Sequence, residues 1–235
     1  MVASLRVAVV RFPGSNCDLD AVRALKAVRG VKPDLVWHED GAVAGYDAVV
    51  LPGGFSFGDY LRAGSIAARS PALGRIARLA EKGVPILGIC NGFQILIEAG
   101  LLPGALLRNT TLRFVCRWVT VRVDNNRTPF TRNMRKGQVL RMPIAHNEGR
   151  YAATAADLSS LSSRGGVVFR YCDLGGDVTA ASNPTGTLRN IAGICNRDGN
   201  VVGLMPHPER AADRILSPFD TEDGALLFAS LLRRE

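Results

Sequence analysis

The sequence has no CxxC pair and no HExxH, and its three histidines, His38, His146 and His207, stand far apart. The five cysteines, Cys17, Cys90, Cys116, Cys172 and Cys195, are odd in number and scattered. Their spacing excludes a zinc ribbon and a disulfide framework, so free thiols and no bound metal are expected. No Gly is followed by Lys and no two Gly stand two apart, so neither G-x-x-x-x-G-K-[ST] nor G-x-G-x-x-G occurs. The common phosphate-cradling loops are absent. Any ATP that the function requires is therefore expected on a separate chain. No apolar run approaches the ~20 residues of a transmembrane helix. The opening MVASLRVAVVRFPGS has one Arg before a short apolar run and no cleavage site behind a long one. It reads as a first strand rather than a signal peptide. The expectation is a cytoplasmic protein without a membrane partner.

What is present suffices for a core. Of 235 residues, 47% are hydrophobic and 21% charged, close to the globular average, which excludes disorder and fibrous repeats. No linker, repeat or low-complexity tract interrupts the chain, so a single domain over 1–235 is expected. The net charge is +8. Residues 104–141 hold nine basic groups against Asp124 alone, and removing them leaves 20 of each sign from the chain's 29 basic and 21 acidic residues. The excess is local. It carries no recognised nucleic-acid motif, so a docking surface for a protein partner is the preferred reading, with Arg127, Arg132 and Arg135 as its exposed members.

Strands alternate with helices. Val7–Val10 is a strand, and Pro13-Gly14-Ser15-Asn16 supply turn and cap residues. Leu19, Val22, Leu25 and Val28 recur at helical spacing, and Gly30 ends that helix. Leu35–Trp37 and Ala48–Leu51 are strands. Ser70 and Pro71 open a helix that Gly83 closes. Val84–Ile89 is a buried strand, and Asn91–Glu98 a short helix. Continuous apolar strands between helices imply a parallel sheet covered on both faces. Beyond about residue 104 the pattern alternates. Arg113–Val123 reads as a half-exposed antiparallel strand, followed by strands at Val139–Ile144, Val167–Tyr171, Ile191–Cys195 and Val201–Met205. The last two form a hairpin, and a final helix spans Glu222–Leu232.

Chemistry concentrates at Gly88-Ile89-Cys90-Asn91-Gly92. A buried strand runs into a tight turn with Cys90 at its apex and a helix behind it, the logic of a nucleophile elbow. The helix N-terminus there lowers a thiol pKa and can hold an oxyanion. A lone G-x-C-x-G is more often a small buried hydrophobe, but two further segments shift that balance. Met205-Pro206-His207-Pro208-Glu209 places an imidazole and a carboxylate two positions apart. In an extended segment both would lie on one side, so that Glu209 sets the His207 tautomer. A Cys, a distant His and an orienting acid suit thiol acyl transfer. Gly53-Gly54 at the end of another strand lets backbone N–H groups approach a ligand, although taken alone the pair reads better as an ordinary turn.

GICNGFQ, PHPER and LPGGFSFGD together resemble the class I, triad-type glutamine amidotransferases. FPGSNCDLD, SFGDYLRAG, RFVCRW and PIAHNEGRY narrow the resemblance to the family of glutaminase subunits of phosphoribosylformylglycinamidine synthase, an enzyme of purine biosynthesis. It runs from Val7 to about Arg210. One departure is His146-Asn147-Glu148-Gly149, where that family often reads His-Gly-Glu-Gly. The resemblance implies a three-layer, flavodoxin-like α/β domain with a mainly parallel sheet and an antiparallel extension. It implies glutamine hydrolysis through a thioester on Cys90, with His207 moving the proton and Glu209 holding His207. Gly54 and Asn91 would supply oxyanion-hole N–H groups, and Gln94 would position glutamine. On the residues alone, Gln94 is equally an ordinary helix position. His146 and Glu148 either cover the site or form a surface loop. The other four cysteines are expected to be dispensable for chemistry. The resemblance further implies a large synthetase subunit and a small companion subunit as partners, with ATP and magnesium on the synthetase and no cofactor in this chain.

Overall fold

The computed structural model describes residues 4–40 and 43–232. Along the chain the elements are β1 (Leu5–Arg11), α1 (Asp18–Lys26), β2 (Val31–Trp37), β3 (Ala48–Leu51), α2 (Pro71–Glu81), β4 (Ile86–Ile89), α3 (Asn91–Glu98) and β5 (Ala105–Leu107). They continue with β6 (Val115–Val123), β7 (Val139–His146), β8 (Arg150–Ala152), α4 (Ala155–Ser163), β9 (Val167–Cys172), β10 (Ile191–Cys195), β11 (Val201–Leu204) and α5 (Ala225–Ala229). Nine strands form one sheet in the order β2-β1-β3-β4-β11-β10-β9-β6-β7, and β5 pairs with β8 apart from it. The first five are mutually parallel, in the spatial order of a flavodoxin-like sheet with β11 as its fifth strand. The rest run antiparallel. The expected extension is thus continuous with the parallel sheet.

The central strands explain why the apolar runs are unbroken. Val7–Val10 and all of β3, β4 and β11 are buried, as strands covered on both faces must be. Only the last part of β6 is buried, at Val121 and Val123, in keeping with an alternating half-exposed strand. The parallel strands end at one edge. Pro13–Cys17, Gly53–Gly54, Cys90 and His207 all follow carboxyl ends there, where ligands bind in open α/β sheets.

Several local expectations need correction. The α1 stripe is carried by Ala21, Ala24 and Leu25, while Leu19 is exposed. The N-cap position of α1 is Cys17, with no side-chain cap bond. Ser70 occupies the N-cap position of α2 but makes no cap bond. That helix continues from a 3-10 turn at Ala67–Arg69 and starts on Pro71, whose fixed φ suits the first turn. Helix α4 was not foreseen, although Thr154 accepts from Asp157 N at 3.1 Å in a T-x-x-D box. Strands β5 and β8 are too short for a periodic signal.

The last helix is much shorter than 222–232, and the expected docking residue Arg132 explains why. Arg132 donates to the carbonyls of Ser230 and Leu231. Asn133 Nδ2 donates to Ala229 O and Leu232 O, both at 3.0 Å. Side chains from the β6–β7 connection thus satisfy the carbonyls past α5, as C-terminal cations commonly do. Arg132 is a structural clamp and not a free surface charge, whereas Arg127 and Arg135 are exposed. Arg132→Ala should therefore cost about 1.5–3 kcal/mol for a lost charged hydrogen bond. At about 2–4 °C per kcal/mol for a chain of this size, thermal denaturation should show a Tm lower by roughly 3–12 °C. An unchanged Tm would mean that the clamp contributes nothing.

Candidate functional site

Cys90 sits between β4 and α3 with φ 50° and ψ −103°, a strained conformation for a side-chain-bearing residue. The flanking glycines permit it. A Cβ on Gly92 would lie 2.0 Å from Leu51 O, and one on Gly88 would lie 2.6 Å from Gly92 O. Helix α3 therefore packs so closely on the ends of β3 and β4 that only glycine fits on either side. Cys90 N is held by Leu204 O of β11 at 2.8 Å. The thiol stands near Ala145 O, at 3.8 Å.

His207 follows β11 and is anchored through its N–H to Pro143 O of β7 at 2.9 Å. Its Nδ1 lies 2.6 Å from Glu209 Oε1, with both side chains buried. The expected contact is present on a different backbone. Pro208–Ala211 is a 3-10 turn, so Glu209 reaches back within a turn rather than along an extended segment. Burial alone would lower the His207 pKa. The Glu209 charge and the thiols of Cys90 and Cys17 outweigh it, and hold the pKa well above its ordinary value.

A cavity of about 220 Å³ opens beside the thiol, lined by Gly54, Phe55, Asp59, Cys90, Gln94 and residues 145–148. That size suits one amino acid, below the ~300–1,000 Å³ of drug-sized sites. Asn91, next to Cys90, is buried. Its Oδ1 accepts from Ser56 N at 3.1 Å, and its Nδ2 donates to Asp59 Oδ1 at 3.1 Å and Gln94 Oε1 at 2.9 Å. Gln94 Nε2 donates to Glu148 O at 2.7 Å. The Asn91 and Gln94 side chains thus tie α3 to the two loops that wall the cavity. His146 and Glu148 line the cavity too, and Glu148 also pairs with Arg108 at 3.7 Å. Burial, then the nearby His207, pushes the His146 pKa down to about 3, so its ring stays neutral.

The loop after β1 braces the loop after β3. Phe55 N donates to Gly14 O at 2.9 Å, Phe57 N to Pro13 O at 2.7 Å, and Ser15 bridges Gly54. FPGSNCD and LPGGFSFGD therefore fold as one unit that presents Gly54 to Cys90.

Two residues of the site were missed. Asp59 lies on a loop where Phe57, Asp59 and Leu61 all have positive φ. Burial, and then the Glu148 charge, pushes its pKa up to about 6. Cys17, expected to be a bystander, is buried against His207, and Arg210 donates to its sulfur at 3.1 Å. Nothing local marks either residue. Each becomes visible only when distant loops converge.

The comparisons with known proteins agree with this geometry. Residues 4–230 match the family model of the CobB/CobQ-like glutamine amidotransferase domain. The chain is 54% identical to the phosphoribosylformylglycinamidine synthase subunit PurQ of Moorella thermoacetica, covering 97% of this chain and 95% of that one. It is 50% identical to the subunit of the same name from Methanosarcina acetivorans, over 97% of both chains. A chain in the structure of PurLQS from Thermotoga maritima superposes with a TM-score of 0.85 at 46% identity, over 97% of both chains. The elbow at Cys90, the paired His207 and Glu209 and these full-length likenesses lead to one conclusion: the chain belongs to the CobB/CobQ-like glutamine amidotransferase family and, within it, to the PurQ subunits of phosphoribosylformylglycinamidine synthase.

Proposed function

We propose that the chain hydrolyses glutamine to glutamate and ammonia, and delivers the ammonia to a synthetase that converts formylglycinamide ribonucleotide to the amidine at the expense of ATP. The observation that carries this reading is the elbow Cys90 opening on an amino-acid-sized cavity beside the buried His207–Glu209 pair. Cys90 Sγ attacks the γ-carboxamide carbon as its proton passes to His207. Backbone N–H groups of Gly54 and Asn91 receive the oxyanion, the second being one of the unpaired donors at a helix start. His207 returns the proton to the departing ammonia, leaving a γ-glutamyl thioester. Water activated by His207 then releases glutamate and the thiol. Glu209 fixes the ring and stabilises its charged form. Gln94 braces the cavity wall against which glutamine lies. ATP and magnesium belong to the synthetase, and a small third subunit completes the assembly. Among the described residues, no helix is long and apolar enough to cross a membrane. In an assay with purified synthetases, only the formylglycinamide ribonucleotide enzyme should raise glutamine turnover. Equal stimulation by an unrelated acceptor subunit would reassign the product's destination.

Asp59 supplies what a zwitterionic substrate needs, a carboxylate for the α-ammonium group. Its pKa of about 6 sets a pH limit whose sign is fixed. Below that pH the carboxyl is neutral and the ammonium loses its counter-charge, so KM rises. KM itself, followed across pH apart from the activity limb that His207 sets, should rise on the acid side with an apparent pKa near this value. Asp59→Asn should raise KM by about 10–100-fold, the worth of a charged hydrogen bond, and remove that rise on the acid side. An unaltered KM would refute the assignment.

Part of the basic segment remains a candidate docking face. Reversing both Arg127 and Arg135 to Glu should weaken association with the synthetase at low salt and matter less at high salt. Equal affinity at both salts would reduce the segment to a solvated surface.

A further inference from the structure

A second thiol stands against the His207 ring. The Cys17 sulfur, a His207 ring nitrogen and a Glu209 carboxylate oxygen all lie within 4.8 Å of one another, and all three residues are buried. A Cβ on Gly53 would fall 2.7 Å from His207 Cε1 and 3.2 Å from Cys17 Sγ, so sulfur and ring edge face one common point. Two polar atoms of the group, His207 Nε2 and Glu209 Oε2, are buried without a hydrogen-bond partner. Buried polar atoms are nearly always paired. The reaction accounts for Nε2, which exchanges a proton with Cys90. It gives Oε2 nothing to do. A cavity of about 240 Å³, lined by Cys17, Cys90, His207, Phe55, Phe114 and Arg210, leads to this point beside the glutamine cavity.

We propose that Cys17, His207 and Glu209 form a binding site for a thiophilic divalent cation, Zn2+ foremost, that holds the glutaminase inactive while occupied. One sulfur, one imidazole nitrogen and one carboxylate oxygen are a three-ligand zinc set, with a water from the cavity as the fourth ligand. Hard cations such as Mg2+ and Ca2+ do not suit a thiolate. Charge also favours the site. A dication with one thiolate and one carboxylate sums to zero, which lowers the cost of burying it. The thiol proton leaves to the buffer on binding. Arg210, now on the Cys17 sulfur, already has Asp20 at 3.7 Å as a second partner. The His207–Glu209 hydrogen bond opens to admit the ion, and a metal-bound imidazole can no longer take the Cys90 proton. The inhibitory part of the proposal rests on the proton-transfer role given to His207; the binding part does not.

The test is titration of the metal-free full chain with Zn2+ by calorimetry, and with Co2+ by absorption, where a thiolate-to-metal band reports sulfur ligation. Native protein and Cys90→Ala should each bind one ion and show the band. Cys17→Ser should lose the band and bind Zn2+ at least ~10–100-fold more weakly, the loss caused by removing even an outer-shell partner. Glu209→Gln, nearly isosteric, should weaken binding similarly and serves should Cys17→Ser fail to fold by circular dichroism. In the complex with synthetase, glutamine-dependent turnover should fall in step with occupancy. The site is overturned if native protein binds no Zn2+, if both ligand variants bind it as tightly as native, or if Cys90→Ala abolishes binding, which would put the ion on the Cys90–His207 pair. Undiminished turnover at full occupancy would overturn the inhibitory part. A failed triad shows instead in the turnover of Cys90→Ala without metal.

Discussion

Cys90→Ala should abolish glutamine-dependent amidine synthesis in the complex and leave synthesis from added ammonia close to normal. The first effect follows from the chemistry, because no other thiol sits on the strained turn between β4 and α3. Removing the nucleophile of a triad costs on the order of a million-fold, so residual turnover should be undetectable. The second effect follows from the division of labour, because added ammonia enters after the step that needs the thiol. The variant should fold normally, since Ala can take the same backbone path and removes only a sulfur atom from a site already open to a cavity. Paired assays with glutamine and with ammonium chloride measure both effects. Loss of both activities would show that Cys90 supports the assembly rather than the chemistry.

His207→Ala should lower glutamine turnover by about a hundred- to ten-thousand-fold, the usual worth of a general acid–base group. In the proposed mechanism His207 acts in thioester formation and again in its hydrolysis, so the upper end is expected. Glu209→Gln should cost less, since the ring keeps its place. It should still shift the pH profile. Glu209 is the main group that raises the His207 pKa against the effect of burial, so its neutral replacement moves that pKa down and the corresponding limb towards lower pH. Activity assays across pH in the assembled complex separate the two variants. Near-normal turnover in His207→Ala would contradict the mechanism.

How legible the site was from the sequence depended on how local each part is. The elbow at Cys90 could be read because strand, turn and helix are contiguous, and the glycines at 88 and 92 record a packing constraint in the sequence itself. The parallel half of the sheet was legible for the same reason, since buried parallel strands are short unbroken apolar runs. The His207–Glu209 contact was expected from spacing, yet the backbone that makes it is a 3-10 turn, because Pro208 starts one. What escaped was convergence. Cys17 and Asp59 lie on loops after different strands and meet the site only when the sheet is assembled. Arg132 read as one cation among many in a basic segment. Its clamp on the carbonyls after α5 joins residues almost a hundred positions apart.

The central claim is that one thiol, Cys90, carries the reaction. A glutamine-like electrophile, added to the complex and followed by peptide mass spectrometry, tests it directly. The account predicts a single adduct on Cys90, protected by excess glutamine and lost in Cys90→Ala. A glutamine-protected adduct on Cys17, the other thiol facing His207, or on any of the remaining cysteines would contradict it.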